Sequence, residues 1–194
     1  MHPIRCTCGK LRGEVTTPTP SNRARCYCSD CQAFGRFFGS HTSVLDAQGG
    51  TEVVQVPLDR VRFSQGLDQL AAIRLSDKGL LRWYASCCKT PIGNTLPNPR
   101  WAFIGLIHTC LSSDSVEQDF GSRIAIVNTG AAQGDTKPRQ QGLAGALVRL
   151  ARIVLPARLA GRYKRSQLFT RSGEPLVVPQ VLSPGRVAEL KRVA

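Results

Sequence analysis

The chain is short of acid, short of aromatic rings and without any long apolar run, and each shortage argues against a class of protein. Its 194 residues hold 13 Asp and Glu against 26 Lys and Arg, a net charge of +13, so its surplus cations favour anionic partners. Aromatic residues make up 6%, and the basic C-terminal part offers only Tyr163 and Phe169 for stacking on bases, which disfavours single-stranded nucleic acid as a partner. No window approaches the roughly 18 apolar residues that a transmembrane helix needs. The opening stretch, MHPIRCTCGK, has no apolar run of signal-peptide length, and a reducing cytoplasm is the expected location. Internal repeats and low-complexity segments are also lacking.

Cysteine, by contrast, is both present and grouped. Cys6 and Cys8 form C-x-C, Cys26, Cys28 and Cys31 form C-x-C-x-x-C, and Cys87 and Cys88 are adjacent; only Cys110 stands apart. A disulfide framework is the rival explanation, but it belongs to small secreted domains that cannot build a core. This chain is 42% hydrophobic, enough for a full core. Cysteines at i and i+2 are also poor disulfide partners, whereas a short turn aims two thiolates at one tetrahedral ion with little chain entropy left to lose. Three clusters therefore predict two metal sites.

Charge divides the chain. Residues 137–194 hold 12 Lys and Arg with only Glu174 and Glu189 as acids, whereas residues 1–136 carry 14 basic and 11 acidic groups. The stretch 130–141, GAAQGDTKPRQQ, reads as a linker or long loop. Two parts follow: a body at 1–134 and a basic, partly helical extension at 135–194. Within the body, alternating apolar residues and turn signals predict strands over 13–17, 51–56, 61–64, 70–75, 80–86, 101–108 and 124–128, with 101–108 also able to form a helix. The expected fold is mainly β, an antiparallel domain whose loops carry the thiolates. In the extension, Leu143, Leu147, Leu150 and Val154 recur at helical spacing until Pro156 is expected to interrupt them. Arg158, Arg162 and Arg165 suggest a second short helix, and Ser183 and Pro184 the cap and first residue of a last one. These helices are expected to pack on the body with their arginines in solvent; contact with nucleic acid or an anionic membrane is the less favoured use.

The clusters differ in chemistry. Cys6, Cys8, Cys87 and Cys88 supply four sulfurs and can close a structural site, pinning the amino terminus to a strand end some 80 residues later. Such closure is strongly stabilising, since zinc-finger peptides gain about 10–16 kcal/mol from zinc. Adjacent cysteines share an ion only through a strained chelate, so Cys110 or a nonprotein ligand is the alternative donor there. Cys26, Cys28 and Cys31 supply three thiolates and no obvious fourth, the mark of an open site. His41 is a candidate fourth ligand or proton shuttle. His108 and Cys110, in apolar surroundings, read as buried core groups. Asp30 reads as an acceptor for backbone amides, and Asn94 and Thr95 as turn residues or pocket lining.

Cys6-Thr7-Cys8-Gly9, Cys26-Tyr27-Cys28-Ser29-Asp30-Cys31 and Cys88-Lys89-Thr90-Pro91 resemble, in order and separation, the motifs of the glutathione-dependent formaldehyde-activating enzyme family, which includes centromere protein V. The resemblance spans residues 4–130. It implies a zinc-bound, β-tent-like domain with a structural zinc on Cys6, Cys8 and the late cysteines and a catalytic zinc on Cys26, Cys28 and Cys31. It also implies a carbon–sulfur lyase activity that adds glutathione, as co-substrate, to formaldehyde or a related small electrophile. The family's C-x-x-C would put its first cysteine at Ala85, and Cys87 is the replacement. The competing expectation is a non-catalytic, zinc-stabilised binding module that works through its basic extension.

Overall fold

A computed structural model describes residues 1–39 and 44–192. The segment 51–57, TEVVQVP, shows how the sheet is built. Val54 and Val56 fall on one face with Val53 on the other, and all three are buried, so this strand is covered on both sides. It is β4 of an eight-stranded sheet ordered β10-β3-β4-β9-β8-β7-β6-β11. The strands are β3 (Asn22–Cys26), β4 (Thr51–Pro57), β6 (Leu70–Arg74), β7 (Leu81–Ala85), β8 (Thr90–Thr95), β9 (Phe103–Ile107), β10 (Ile124–Val127) and β11 (Gln180–Val181). A smaller sheet joins β1 (His2–Arg5), β2 (Arg12–Val15) and β5 (Val61–Gln65). Where β2 meets β5, Gly13 lies so close to the Arg62 carbonyl that a Cβ would collide with it.

One core lies between the sheets, around Ile4, Leu11, Val56, Trp83, Ile92 and Ile104. The other lies under the helices, around Phe34, Phe38, Ile73 and Ile107. The helices are α1 (Ser29–Phe37), α2 (Val116–Phe120), α3 (Leu143–Leu159) and α4 (Pro184–Lys191). The chain is thus mainly β with a C-terminal helical part, as the apolar patterning implies. Residues beyond 134 reach both cores: Leu168 and Phe169 enter the first, where Phe169 meets Trp83 edge-on at 6.1 Å, and Ala146, Leu182 and Leu190 enter the second. None of the described helices is long and apolar enough to cross a membrane.

Three local expectations need correction. The large sheet is not wholly antiparallel, because β10 runs parallel to β3 and β11 parallel to β6 at its two edges. Parallel pairing needs a long crossover connection, and in both cases the partners are far apart in the chain. Helix α3 continues through Pro156 to Leu159. Proline deprives the Arg152 carbonyl of its donor, but Arg152 and Pro156 both lie on the exposed side of the helix, where a missing backbone bond costs least. Arg158 falls in the last turn of α3, while residues 162–165 form a separate 3₁₀ turn. The segment 101–108 resolves as strand β9.

Candidate metal centres

The four-thiol group is assembled from two tight turns. After β1, the Gly9 amide donates to the Cys6 carbonyl, and Gly9 takes φ 74°, a left-handed conformation that glycine adopts without strain. This turn brings Cys6 and Cys8 within 3.5 Å, Sγ to Sγ, while the Leu11 amide donates to the Cys6 sulfur at 3.2 Å. The second turn joins β7 to β8 and carries Cys87 and Cys88, whose sulfurs are 3.8 Å apart. Thr7 ties the turns together, its amide donating to Thr90 Oγ1 at 2.9 Å. Cys87 lies 3.8 Å from Cys6 and 3.4 Å from Cys8 and so joins this group, whereas Ala85 is buried in the core at the end of β7.

All four sulfurs lie within 4.8 Å of one another and can hold a metal ion. Their acidities are already divided. Burial would raise Cys88, but the hydroxyls of Thr7 and Thr90 and contacts from Cys8 bring it down to about 5. Cys87 is pushed up to about 12 by burial and by its hydrogen bonds to Cys8, Cys6 and Cys88. Cys110 takes no part: it is fully buried, donates to the Ile92 carbonyl at 3.3 Å and is raised to about 12 by burial, as a core thiol should be.

The three-thiol group sits where β3 hands over to α1. Cys26 ends β3, Cys28 caps α1 with its sulfur accepting from the Cys31 amide at 3.4 Å, and Cys31 lies in the first turn. The thiolates are therefore carried by a strand end and a helix start rather than by loops. A helix amino terminus presents free amides and the positive end of its dipole, both of which favour thiolate. The three sulfurs lie within 4.8 Å of one another. Hydrogen bonds from Cys28 and Cys31, reinforced by Asn128, hold Cys26 down to about 2 against the effect of burial. Cys28 and Cys31 are raised by donating to it. Loading an ion here must therefore displace the protons those two retain.

Asn128 is the residue that motif reading passes over. It follows β10 in the left-handed conformation, φ 57°, and its Nδ2 donates to Cys26 Sγ at 3.2 Å. The only local signal is an asparagine at the end of an apolar strand, where a left-handed turn is tolerated. Outer contacts of this kind tune metal affinity by roughly 10- to 100-fold. Asn128→Gly keeps the backbone conformation and removes the donor. The expected result is a loss of at least about tenfold in ion affinity at the three-thiol group, read by competition with a chromophoric chelator.

Cys26 and Cys31 form part of the wall of a cavity of about 270 Å³ on the helix-bearing face of the large sheet, together with Gln55, Asn94, Thr95 and Asn128. Asn94 and Thr95 lie within β8 rather than in a turn, and both border this cavity. The other candidates do not join the sulfurs. Asp30 is engaged by Lys191 at 2.6 Å and approached by Arg82 at 4.0 Å, so its carboxylate answers cationic side chains rather than backbone amides. His108 Nδ1 turns to the Glu52 carbonyl at 3.3 Å. His41 lies outside the described residues.

Residues 1–172 match DUF6151, described as a family of unknown function. No curated protein matches. Among solved structures, the chain is similar to a crystal structure of a Rhodobacter sphaeroides protein, with a TM-score of 0.44 and 18% identity over 64% of this chain and 99% of that one.

Proposed function

The chain belongs to DUF6151, a family of unknown function, and from that premise we propose that it is a two-zinc protein whose second site activates a small thiol. In this reading Cys6, Cys8, Cys87 and Cys88 hold a structural zinc. Cys26, Cys28 and Cys31 hold the other and leave one position for an exogenous thiol. The carrying observation is the contrast between the groups: four sulfurs close one, whereas among the described residues no fourth His, Cys, Asp or Glu joins the other, and Cys26 and Cys31 border a cavity. The donor chemistry fits zinc. Thiolates at about 2.3 Å from a tetrahedral ion stand about 3.8 Å from one another, and the recorded separations in the four-thiol group run from 3.4 to 3.8 Å.

When bound, zinc supplies positive charge that keeps a ligating thiol deprotonated at neutral pH. The protein's own groups do the rest. Asn128 fixes Cys26 in its acceptor role. Arg82 Nη1 donates to Asn94 Oδ1 at 3.3 Å, which leaves the Asn94 amide nitrogen as a donor toward the cavity. Thr95 Oγ1 accepts from Trp83 Nε1 at 2.9 Å, so its hydroxyl is turned into the core between the sheets, on the opposite face of β8 from Asn94. The Asn94 amide suits an oxygen that gains negative charge. The reaction class is addition of the thiol to a small carbonyl: a carbon–sulfur bond forms, the carbonyl π bond opens, and the proton lost by sulfur is returned to oxygen, with no change of oxidation state. The cavity, at about 270 Å³, lies at the small end of ligand pockets. The sequence resemblance names glutathione and formaldehyde as the pair, a thiol-bearing end and a one-carbon electrophile that suit this volume.

The test uses the cobalt-substituted full chain. Glutathione is expected to shift the cobalt–thiolate absorption of wild type but not of Cys28→Ala, and formaldehyde consumption is expected to depend on added thiol. A wild-type spectrum indifferent to glutathione, with turnover that ignores thiol, defeats the reading.

A further inference from the structure

Helix α3 exposes the wrong face. Ala146, Ile153, Val154 and Ala157 are buried against the body, and a surface helix should then turn polar residues outward. Instead Leu147 is 58% exposed, Val148 52%, Leu155 57% and Leu159 86%, with Trp101 beside them at 47%. Trp101, Leu147 and Leu155 also border an apolar groove of about 340 Å³. That groove shares Leu96 and Phe103 with the cavity at Cys26 and Cys31, so the exposed face and the three-thiol group are neighbours.

The surrounding charge has one sign. Residues 136–173 contain nine Lys and Arg and no Asp or Glu. Arg152 and Arg158 are exposed on α3 itself, and Lys164 and Arg165 on the turn that follows. Among the described residues none of the nine makes an ion pair. A second copy of the chain is a poor occupant, because it would bring a like-charged surface against this one. Duplex nucleic acid would satisfy the cations and leave the leucines in water. A surface with anionic headgroups over an apolar interior satisfies both.

We infer that α3, with Trp101 and the arginines around it, is a docking face for an anionic lipid membrane, lying in the interface without crossing it. The inference is independent of the chemistry proposed for the thiol groups.

The full chain is tested by co-sedimentation with vesicles of phosphatidylcholine alone and of phosphatidylcholine and phosphatidylserine in equal parts. Binding to the mixed vesicles is expected to be at least about tenfold tighter at low salt and to weaken as salt is raised. Trp101 emission is expected to shift to the blue on binding, because the other tryptophan, Trp83, is already buried in the core. The double variant Leu147→Gln/Leu155→Gln changes two exposed side chains, so its unfolding midpoint should stay put while affinity falls about tenfold or more. Failure to bind the mixed vesicles, or binding undiminished in the double variant, overturns the inference. So does self-association that this variant abolishes, or tighter binding to duplex DNA that it leaves unchanged.

Discussion

Replacing Cys8 with serine is expected to cost at least about 4 kcal/mol of stability in the metal-loaded protein, the linkage that an ion present at about a thousand times its dissociation constant provides. Cys8 suits the test because it is exposed, while its sulfur lies 3.5 Å from Cys6 and 3.4 Å from Cys87. Truncating an exposed thiol to a hydroxyl disturbs little packing, so a large loss has to come through the ion. The two turns that meet here are about 80 residues apart in the chain, so an ion holding them together also removes a long loop's worth of freedom from the unfolded state. Denaturant unfolding with and without chelator is the measurement. Wild type and Cys8→Ser should differ widely when metal is present and unfold nearly together when it is removed.

Glu52→Ala is expected to destabilise the protein by about 3–5 kcal/mol at neutral pH, the usual result of stranding a buried charge. Arg23 is buried and its guanidinium grips Glu52 Oε1 through Nε at 3.0 Å and Nη2 at 2.7 Å, while Arg25 reaches Oε2 at 3.1 Å. Removing the carboxylate leaves Arg23 with the Gly121 carbonyl and the exposed Glu117 at 3.8 Å. The pH dependence has a definite sign. Burial alone would raise the Glu52 carboxyl, but Arg23 and then Arg25 reverse this and hold it below its ordinary value. A carboxyl depressed in the folded state stabilises fully above its unfolded pKa, roughly 4.3, and loses that contribution as pH falls through the folded value. The gap between wild type and Glu52→Ala in urea unfolding should therefore be wide at neutral pH and narrow in acid below that range.

The same buried pair shows where sequence patterning fails. Strand β3 reads Asn22-Arg23-Ala24-Arg25-Cys26, too charged to display an apolar alternation, because its inward arginine is neutralised by a glutamate on the next strand. Strand β8 is hidden by Pro91 and Gly93; the ladder admits the proline where the register shifts between Trp83 and Tyr84. In α1, Gly35 obscures the helical pattern, yet a Cβ there would strike the Leu45 side chain. Strands β4, β5, β6, β7, β9 and β10 were legible because their apolar alternation is local. The division of the sulfurs was legible for the same reason: C-x-C and the adjacent pair fold as tight turns, and C-x-C-x-x-C fits a strand end and a helix start. Asn128 was not, because only the fold brings it to Cys26, 102 residues away in the chain. The outward apolar face of α3 was concealed by the regular leucine spacing, which reads equally well as a helix that buries its leucines.

The most direct test of two separate metal groups is elemental analysis of the intact chain, in wild type, Cys88→Ala and Cys28→Ala. Two zinc ions per wild-type chain are expected, with one retained in each variant. Only the ion left in Cys88→Ala, the one at the three-thiol group, should respond to added thiol. A wild type that holds a single ion, or variants that both lose the thiol-responsive one, would contradict the account.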